Sequence, residues 1–240
     1  MYDAKSAYLC GMQVEFTFLG TGTSQGVPII GCDCEVCKST NAKDNRLRTS
    51  VWVRTPHASV VVDTGPDFRQ QCLRAGLTSL DAVVFTHEHK DHVAGMDDIR
   101  PFNFRSRQDL PVYATTRVQK ALEREFHYVF EASYPGVPRV ALYTIESEPF
   151  EINGDTWLPL PVFHHQLPVL GFRVGNFAYV TDANQFTDLA LERLKGVDVL
   201  VLNALRREPH LSHFTLDEAL EWAKRINARK TYLTHISHQL

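Results

Sequence analysis

The sequence lacks any hydrophobic run that could cross a membrane. Its longest uninterrupted apolar stretches are short, for example Val199–Leu202, whereas a membrane-spanning helix needs about 20 apolar residues. Residues 1–12 also lack the apolar segment and the small-residue cleavage site of a signal peptide. We therefore expect a cytoplasmic protein with no membrane partner, in which residues 1–12 form an unstructured N-terminal extension.

An excess of charge of either sign is also missing. The 240 residues include 25 lysines and arginines and 28 aspartates and glutamates, for a net charge of −3. No positive field extends over the sequence to attract a nucleic-acid backbone, so a nucleic-acid partner is not expected. Hydrophobic residues make up 44% of the chain, which excludes disorder as its dominant state. Without a repeat or a break in composition, residues 1–240 are predicted to form a single domain, and a homodimer stays open.

Cysteines are few and unevenly placed. Of the five, Cys32, Cys34 and Cys37 lie in one short segment, whereas Cys10 and Cys72 stand alone. A disulfide framework would need an even and dispersed set in a small secreted protein. The C-x-C-x-x-C spacing instead indicates three thiolate ligands of a metal, one fewer than a tetrahedral structural zinc site requires.

Strand and helix patterns alternate along the chain. Strands are predicted at Val14–Leu19, Ser50–Arg54, Ser59–Asp63, Ala82–Phe85, Val197–Leu202 and Lys230–Thr234, with four or five more between Val140 and Thr181. Helices are predicted at Asp67–Ala75, Thr116–Phe126, Thr187–Lys195 and Thr215–Asn227. Thr215 and Glu218 have the spacing of a capping box at the start of the last helix. This alternation predicts a layered α/β fold.

Histidine is abundant, with 11 residues, and nine of them fall in four short segments. The densest segment reads T-H-E-H-K-D-H and directly follows the predicted strand Ala82–Phe85. It offers four ligands: His87, His89, Asp91 and His92. Imidazole and carboxylate groups suit Zn²⁺, Mn²⁺ or Fe²⁺. On a turn after a strand, the first two histidines can point one way and the Asp-His pair another, which would serve two adjacent metals.

The H-x-H-x-D-H motif after a strand resembles that of the metallo-β-lactamase superfamily. The resemblance implies a four-layer αβ/βα sandwich with a metal site at one sheet edge. It also implies three further ligands, each at the end of a predicted strand: His164, Asp182 and His235. The first metal would then be held by His87, His89 and His164. The second would be held by Asp91, His92 and His235, and Asp182 would bridge the two.

Two features bear on this ligand set. His165 is adjacent to His164 and is the alternative ligand, because neighbouring residues at a strand end face opposite ways. His89 stands where the iron-dependent redox branch of the superfamily has glutamate. The histidine therefore favours a hydrolase over an oxidoreductase.

A closer resemblance covers nearly the whole chain from Val14. Residues 20–28 (G-T-G-T-S-Q-G-V-P), 31–37 (G-C-D-C-E-V-C) and 234–239 (T-H-I-S-H-Q) are similar to the phosphodiesterases of the carbon–phosphorus lyase pathway. Those enzymes open a cyclic phosphate of phosphoribose. The resemblance implies a structural zinc held by Cys32, Cys34, Cys37 and His238.

Several residues outside the ligand set are further candidates. His213 precedes the last predicted helix, where the resemblance places an active-site histidine that is not a ligand. His210 could do the same work or be a solvated loop residue. Asp63 either supports a metal-bound histidine or caps the following helix. Three arginines could pair with phosphate or be ordinary surface charges: Arg100, Arg206 and Arg207.

These expectations converge on a metal-dependent phosphodiesterase for a small cyclic or linear phosphodiester. Two divalent ions, zinc or manganese, would hold a hydroxide that attacks phosphorus. The expected catalytic residues are Asp91, Asp182 as the bridge, and His213, which protonates or steers the leaving oxygen. The alternatives are a tRNA 3′-end endonuclease, a thioester, lactone or lactam hydrolase, and a non-catalytic metal-binding protein. The near-neutral segment between Gly95 and Val140 lacks the basic arm of the tRNA nucleases.

Overall fold

The computed structural model describes residues 14–131 and 135–240. The expected N-terminal extension, residues 1–12, and Cys10 within it lie outside the described residues. None of the helices in the described ranges is long and apolar enough to span a membrane.

The described residues form two sheets. The first contains β1 (Glu15–Gly20), β2 (Ser50–Arg54), β3 (Ser59–Val62), β4 (Ala82–Val84), β5 (Leu110–Ala114) and β6 (Val140–Thr144) in that spatial order. Strands β1 to β3 pair antiparallel, and β3 to β6 pair parallel. The carboxyl ends of β3 to β6 therefore share one edge of the sheet.

The second sheet is built from the rest of the chain. It contains β7 (Phe150–Ile152), β8 (Asp155–His164), β9 (Leu167–Val174), β10 (Phe177–Val180), β11 (Gln185–Phe186), β12 (Val199–Asn203) and β13 (Lys230–Thr234). The spatial order is β11-β8-β9-β10-β12-β13, with β7 paired to β8. Strands β10, β12 and β13 are parallel, so their carboxyl ends also share one edge.

Helices cover the outer face of each sheet. The helices are α1 (Glu35–Lys38), α2 (Phe68–Ala75), α3 (Lys90–Val93), α4 (Arg100–Ser106), α5 (Thr116–Glu125), α6 (His127–Phe130), α7 (Asp188–Leu194) and α8 (Leu216–Ile226), with 3₁₀ turns at Ala42–Asp44 and Met96–Ile99.

The apolar residues of alternate strand positions separate into different cores. Val60 and Val62 of β3 lie in the core between the sheets, while Val61 lies in the core that also contains Phe68 of α2 and Leu122 of α5. A third core joins the outer face of the second sheet to α7 and α8. Side chains of a strand point alternately to its two faces, so each sheet is buried on both sides. The predicted four-layer αβ/βα sandwich is confirmed.

Individual elements show where the sequence pattern was sufficient. The predicted strand Lys230–Thr234 is confirmed with its bounds. The capping box is also confirmed, since the Thr215 hydroxyl accepts from the backbone N–H of Glu218 at 3.2 Å and the Glu218 carboxylate accepts from that of Thr215 at 2.8 Å. Strand β5 was not predicted, because Pro111 within it argues against a central strand.

The turns that follow the strands are sharp at this common edge. Asp63 after β3, Asp182 near the end of β10 and His235 after β13 have φ angles of 65°, 53° and 55°. Residues other than glycine rarely adopt positive φ, and such residues concentrate at functional sites. Three of the residues singled out in the sequence therefore adopt a backbone conformation that is typical of functional sites.

Candidate metal centre

Asp63 is the buried residue that organises the histidine-rich segment. Its side chain is 0% exposed. One carboxylate oxygen accepts the backbone N–H of Thr86 at 2.9 Å, and the other accepts the Thr86 hydroxyl at 2.8 Å and Nδ1–H of His92 at 2.7 Å. Burial raises the pKa of Asp63, and the contacts with His92 and Thr86 offset part of that effect. With Nδ1 donating to Asp63, the Nε2 atom of His92 faces the opposite side of the ring, where a metal ion could take the place of its proton.

The Thr86 hydroxyl fixes the neighbouring histidine in a similar way. Because its proton is donated to Asp63, Oγ1 accepts from Nδ1 of His87 at 3.0 Å. The Nε2 atom of His87 then faces Nδ1 of His89 at 3.1 Å. Burial holds the pKa of His87 well below its ordinary value, so this ring is neutral and Nε2 is available as a ligand.

Asp182 lies at the centre of the site. Its Oδ2 is 3.3 Å from Nε2 of His92 and 3.0 Å from Nδ1 of His235, and its Oδ1 is 3.1 Å from Nε2 of His213. Burial alone would raise the pKa of Asp182, but His235, His92 and His213 outweigh it and hold this pKa well below the ordinary value. The carboxylate is therefore ionised and faces three imidazoles.

His164 completes the group from the second sheet. Its Nδ1–H donates to the backbone carbonyl of Ser212 at 2.9 Å, which leaves Nε2 free to bind. Its ring centroid is 5.2 Å from that of His89 and 5.7 Å from that of His87. Burial lowers the pKa of His164 to about 4, so this ring is also neutral at physiological pH.

The arrangement fits a divalent metal on three observations. Ligand atoms of Asp91, His92, Asp182 and His235 lie within 4.8 Å of one another, and so do those of His164, Asp182 and His213. The buried atoms Nε2 of His92 and Nδ1 of His235 have no hydrogen-bond partner among the described residues. Burial opposes protonation of His92, yet Asp182, Asp91 and Asp63 raise its pKa well above the ordinary value. The site therefore attracts positive charge at its centre, and all seven expected ligands are gathered there.

A second cluster joins the cysteine segment to the turn after β13. Nδ1 of His238 lies 3.3 Å from Sγ of Cys32, 3.2 Å from that of Cys34 and 3.5 Å from that of Cys37. A backbone N–H of Cys37 and the contact with His238 lower the pKa of Cys34 to about 6. One imidazole nitrogen cannot hydrogen-bond to three sulfurs at once, whereas a single soft cation can be bound by all four atoms.

Other candidates have simpler positions. His165 is exposed, and its backbone N–H donates to Asn184, so it lies outside both clusters. His210 is exposed, but its Nδ1 is 3.0 Å from that of His213. The interpretation of Asp63 as a helix cap is wrong, since its carboxylate faces Thr86 and His92.

The remaining cysteine and the arginines make no contact with the clusters. Cys72 lies in α2 and packs into the core under this helix. Burial raises the pKa of Cys72 to about 12. Arg206 donates to the carbonyl of Pro209 at 2.9 Å, Arg100 to that of Gly136 at 3.3 Å, and Arg207 is exposed.

Threonines next to the ligands were missed by the sequence analysis. Thr86, Thr181 and Thr234 directly precede His87, Asp182 and His235. The Thr181 hydroxyl donates to Oδ2 of Asp182 at 2.6 Å, and the Thr234 hydroxyl lies 2.6 Å from that of Thr49. The recurring Thr-ligand dipeptide at strand ends was the available signal.

Two glycines let the backbone around Asp91 pack closely. A Cβ atom on Gly65 would lie 2.1 Å from the carbonyl oxygen of Asp91, and one on Gly95 would lie 2.1 Å from that of Gly65. No side chain fits at either distance. The turn after β3 and the segment that carries Asp91 are therefore in direct backbone contact.

Comparisons with known proteins agree with this geometry. Residues 58–236 match the family model of the beta-lactamase superfamily domain. A crystal structure of a new diphosphatase from the PhnP family is 42% identical, covers 96% of this chain and 89% of that protein, and superposes with a TM-score of 0.90. Zn(2+)-bound PqqB from Methylobacterium extorquens, at 19% identity, has a TM-score of 0.76 over 93% of this chain and 89% of that protein, a likeness of fold.

A protein named octanoyltransferase, from Porphyromonas gingivalis, is 41% identical over 224 residues. The match covers 92% of this chain but only 45% of that protein. The chain thus spans less than half the length of this curated relative, whose name describes the whole protein. A coenzyme PQQ synthesis protein B from Methylobacterium nodulans is 29% identical over an alignment of 218 positions, and the match covers 77% of this chain and 71% of that protein.

Replacement of Asp63 by asparagine tests its role as the support of His92. Asparagine keeps the size and tolerates positive φ, but it loses the charge that holds Nδ1–H of His92. We expect metal affinity to fall about 10-fold to 100-fold, as for other residues that orient a ligand. The measurement is metal content after equilibration with buffered Zn²⁺ or Mn²⁺. Asp81→Asn is the matched control, because the Asp81 carboxylate accepts the backbone N–H of Ser59 and contacts no ligand. Equal affinities in the two variants would contradict this role.

Proposed function

Because this chain belongs to the metallo-β-lactamase superfamily of hydrolases, we propose that it is a metal-dependent phosphodiesterase for a small cyclic or linear phosphodiester. The observation that carries the proposal is the position of Asp182, whose carboxylate takes part in two groups of potential ligand atoms, one with Asp91, His92 and His235 and one with His164 and His213. The 42% identity to a diphosphatase supports a substrate in which a phosphorus atom is linked to two other groups through oxygen atoms.

The residues in this proposal divide into two sets that share one carboxylate. The first set consists of His87, His89 and His164. The second consists of Asp91, His92 and His235. Asp182 joins the sets. Divalent zinc or manganese ions bound there would neutralise charge on the phosphoryl oxygens and lower the pKa of water to about 7.

His213 is proposed to act on the leaving oxygen. Its Nε2 lies 3.1 Å from Oδ1 of Asp182, while its Nδ1 lies 3.1 Å from the hydroxyl of Ser212. With a carboxylate as its partner, Nε2 holds the proton and points it toward the centre of the site. His213 thus donates a hydrogen bond or a proton where the bond to phosphorus breaks.

The cysteine cluster is proposed to hold a structural zinc. Cys32, Cys34, Cys37 and His238 would form a closed tetrahedral site without an open position for a substrate. His238 lies three residues after His235, so one turn serves both clusters. This zinc would stabilise the turn that delivers His235.

Asp182→Asn tests the catalytic proposal. The amide keeps the shape of the side chain but removes the charge shared by the two sets, so kcat/KM should fall by about 10³-fold, the equivalent of several kcal/mol of charge stabilisation. The assay is hydrolysis of bis-(p-nitrophenyl) phosphate by protein purified with added Mn²⁺ or Zn²⁺. Asp188→Asn, an exposed acid in the first turn of α7, should retain the wild-type rate. Wild-type activity in Asp182→Asn would refute the site.

His213→Ala tests proton donation to the leaving oxygen. The variant should keep its metals and lose about 100-fold in rate on diphenyl phosphate, whose poor leaving group needs a proton. Loss on bis-(p-nitrophenyl) phosphate should be less than about tenfold, because that leaving group departs as an anion. His165→Ala, an exposed histidine nearby, is the control. Equal losses on both substrates would mean that His213 orients the substrate without transferring a proton.

Cys34→Ser and His238→Ala test the structural zinc. Each should lose about one zinc per chain and melt at a markedly lower temperature, because the energy of metal binding contributes to folding where the site forms only in the folded chain. Zinc stoichiometry and thermal denaturation are the measurements. Cys72→Ala, which removes a cysteine from an apolar core, should keep the zinc. Wild-type zinc content and melting temperature in both ligand variants would contradict the assignment.

A further inference from the structure

A groove of about 830 Å³ opens beside the histidine-rich segment. Glu88, which lies between His87 and His89 in the sequence, belongs to its lining. Leu170 lines it as well, and the backbone N–H of Leu170 donates to the carbonyl of Thr86 at 3.2 Å. Glu88 is thus the residue after the proposed ligand His87, and Leu170 is hydrogen-bonded to the residue before it. The groove therefore adjoins the segment that carries His87, between α5 and the strands β8 and β9.

One wall of the groove is a positively charged face of α5. Arg117, Lys120 and Arg124 line it, and their spacing of three and four residues places them on one side of a helix. Over seven residues this face extends about 10 Å. Such a row matches an elongated ligand better than a single compact anion.

The charges in the groove do not cancel. Arg117 is paired with Glu88 at 2.5 Å, and the Glu146 carboxylate accepts the backbone N–H and the hydroxyl of Thr116 at 3.3 and 3.1 Å. Lys120 has no ion pair among the described residues. Within the described residues, the ion pair of Arg124 is with Glu125, at 3.7 Å.

Glu125 forms a closer ion pair with a residue outside the groove. It is paired with Lys90 at 2.6 Å, against 3.7 Å for Arg124. Lys120 and Arg124 therefore face the single remaining carboxylate of Glu146, so the charged side chains that line the groove have a net charge of +1, which favours an anion.

The opposite wall is apolar. It is formed by Pro161 of β8 and by Pro168, Val169 and Leu170 of β9. A flat ring can pack on such a surface while an attached anionic group reaches the cations of α5. The volume lies in the range of pockets that enclose a drug-sized ligand, and a small cyclic phosphate would leave most of it empty.

We propose that the groove binds the leaving part of the substrate, and that this part is nucleotide-like, with a planar ring and a phosphate of its own. This inference rests on the proposed phosphodiesterase function and narrows its substrate class. Lys120 and Arg124 contact the second phosphate, and Pro161 of β8 and Pro168 of β9 contact the ring. Hydrolysis of such a substrate adds water across the P–O–P bridge and releases a nucleoside monophosphate into the groove.

The test uses a symmetric substrate and its product. Attack on either phosphorus of P¹,P²-di(adenosine-5′) diphosphate releases adenosine 5′-monophosphate, so the leaving group is defined. In Lys120→Ala/Arg124→Ala, KM for this substrate and Kd for adenosine 5′-monophosphate by calorimetry should both rise about tenfold, equivalent to about 1.4 kcal/mol. KM for bis-(p-nitrophenyl) phosphate, which has no second anion, should stay within twofold of wild type.

A matched double variant gives the control. Lys224→Ala/Arg229→Ala removes the same two charges from exposed positions in and after α8 and should change none of the three constants. If both double variants behave alike, or if adenosine 5′-monophosphate does not bind the wild-type protein, the groove proposal is refuted while hydrolysis of bis-(p-nitrophenyl) phosphate still supports the phosphodiesterase. If the wild-type protein hydrolyses neither substrate but binds adenosine 5′-monophosphate through Lys120 and Arg124, the phosphodiesterase proposal fails. The groove is then supported as a nucleotide-binding site alone.

Discussion

The contacts of the buried Asp63 carboxylate control the geometry of the whole candidate centre. A carboxylate removed from water is costly unless its oxygens are hydrogen-bonded. Among the described residues, the partners of the Asp63 carboxylate are Thr86 and His92. These bonds determine which nitrogen of His92 carries the proton and, through the Thr86 hydroxyl, which nitrogen of His87 does. The first sheet thus presents the Nε2 atoms of both rings, already oriented, to the carboxylate and histidines of the second sheet.

The sequence was most informative where chemistry is dense along the chain. Four potential ligands within six residues after a strand, and three cysteines within six, can be found without a structure. The fold was predictable from alternating strands and helices together with the family resemblance. The least visible parts were β5, in which proline argues against a strand, and the function of Asp63, which was balanced against helix capping. The contact between Asp63 and His92 joins residues that are 29 positions apart. A local sequence pattern cannot predict such a contact.

The choice between His164 and His165 shows a second limit. Adjacent side chains at a strand end diverge, but which one faces inward depends on register. In the structure, His164 is the last residue of β8 and pairs with Leu167, while His165 enters the hairpin turn at a φ of 58°. The register of that hairpin, set by the apolar residues of β8 and β9, therefore selects the ligand.

The positions of the two clusters in the sequence also determine when during synthesis each set of ligands can be completed. Thr23 meets His235 across 212 positions of sequence, and Cys32 meets His238 across 206. Contacts of such high sequence separation form late, since the intervening chain must first lose its freedom. While a ribosome is still translating the second sheet, the cysteines and the first histidines are already made but have no complete set of partners. Neither cluster therefore has its complete set of ligands until the turn at residues 235–238 has been synthesised and has docked.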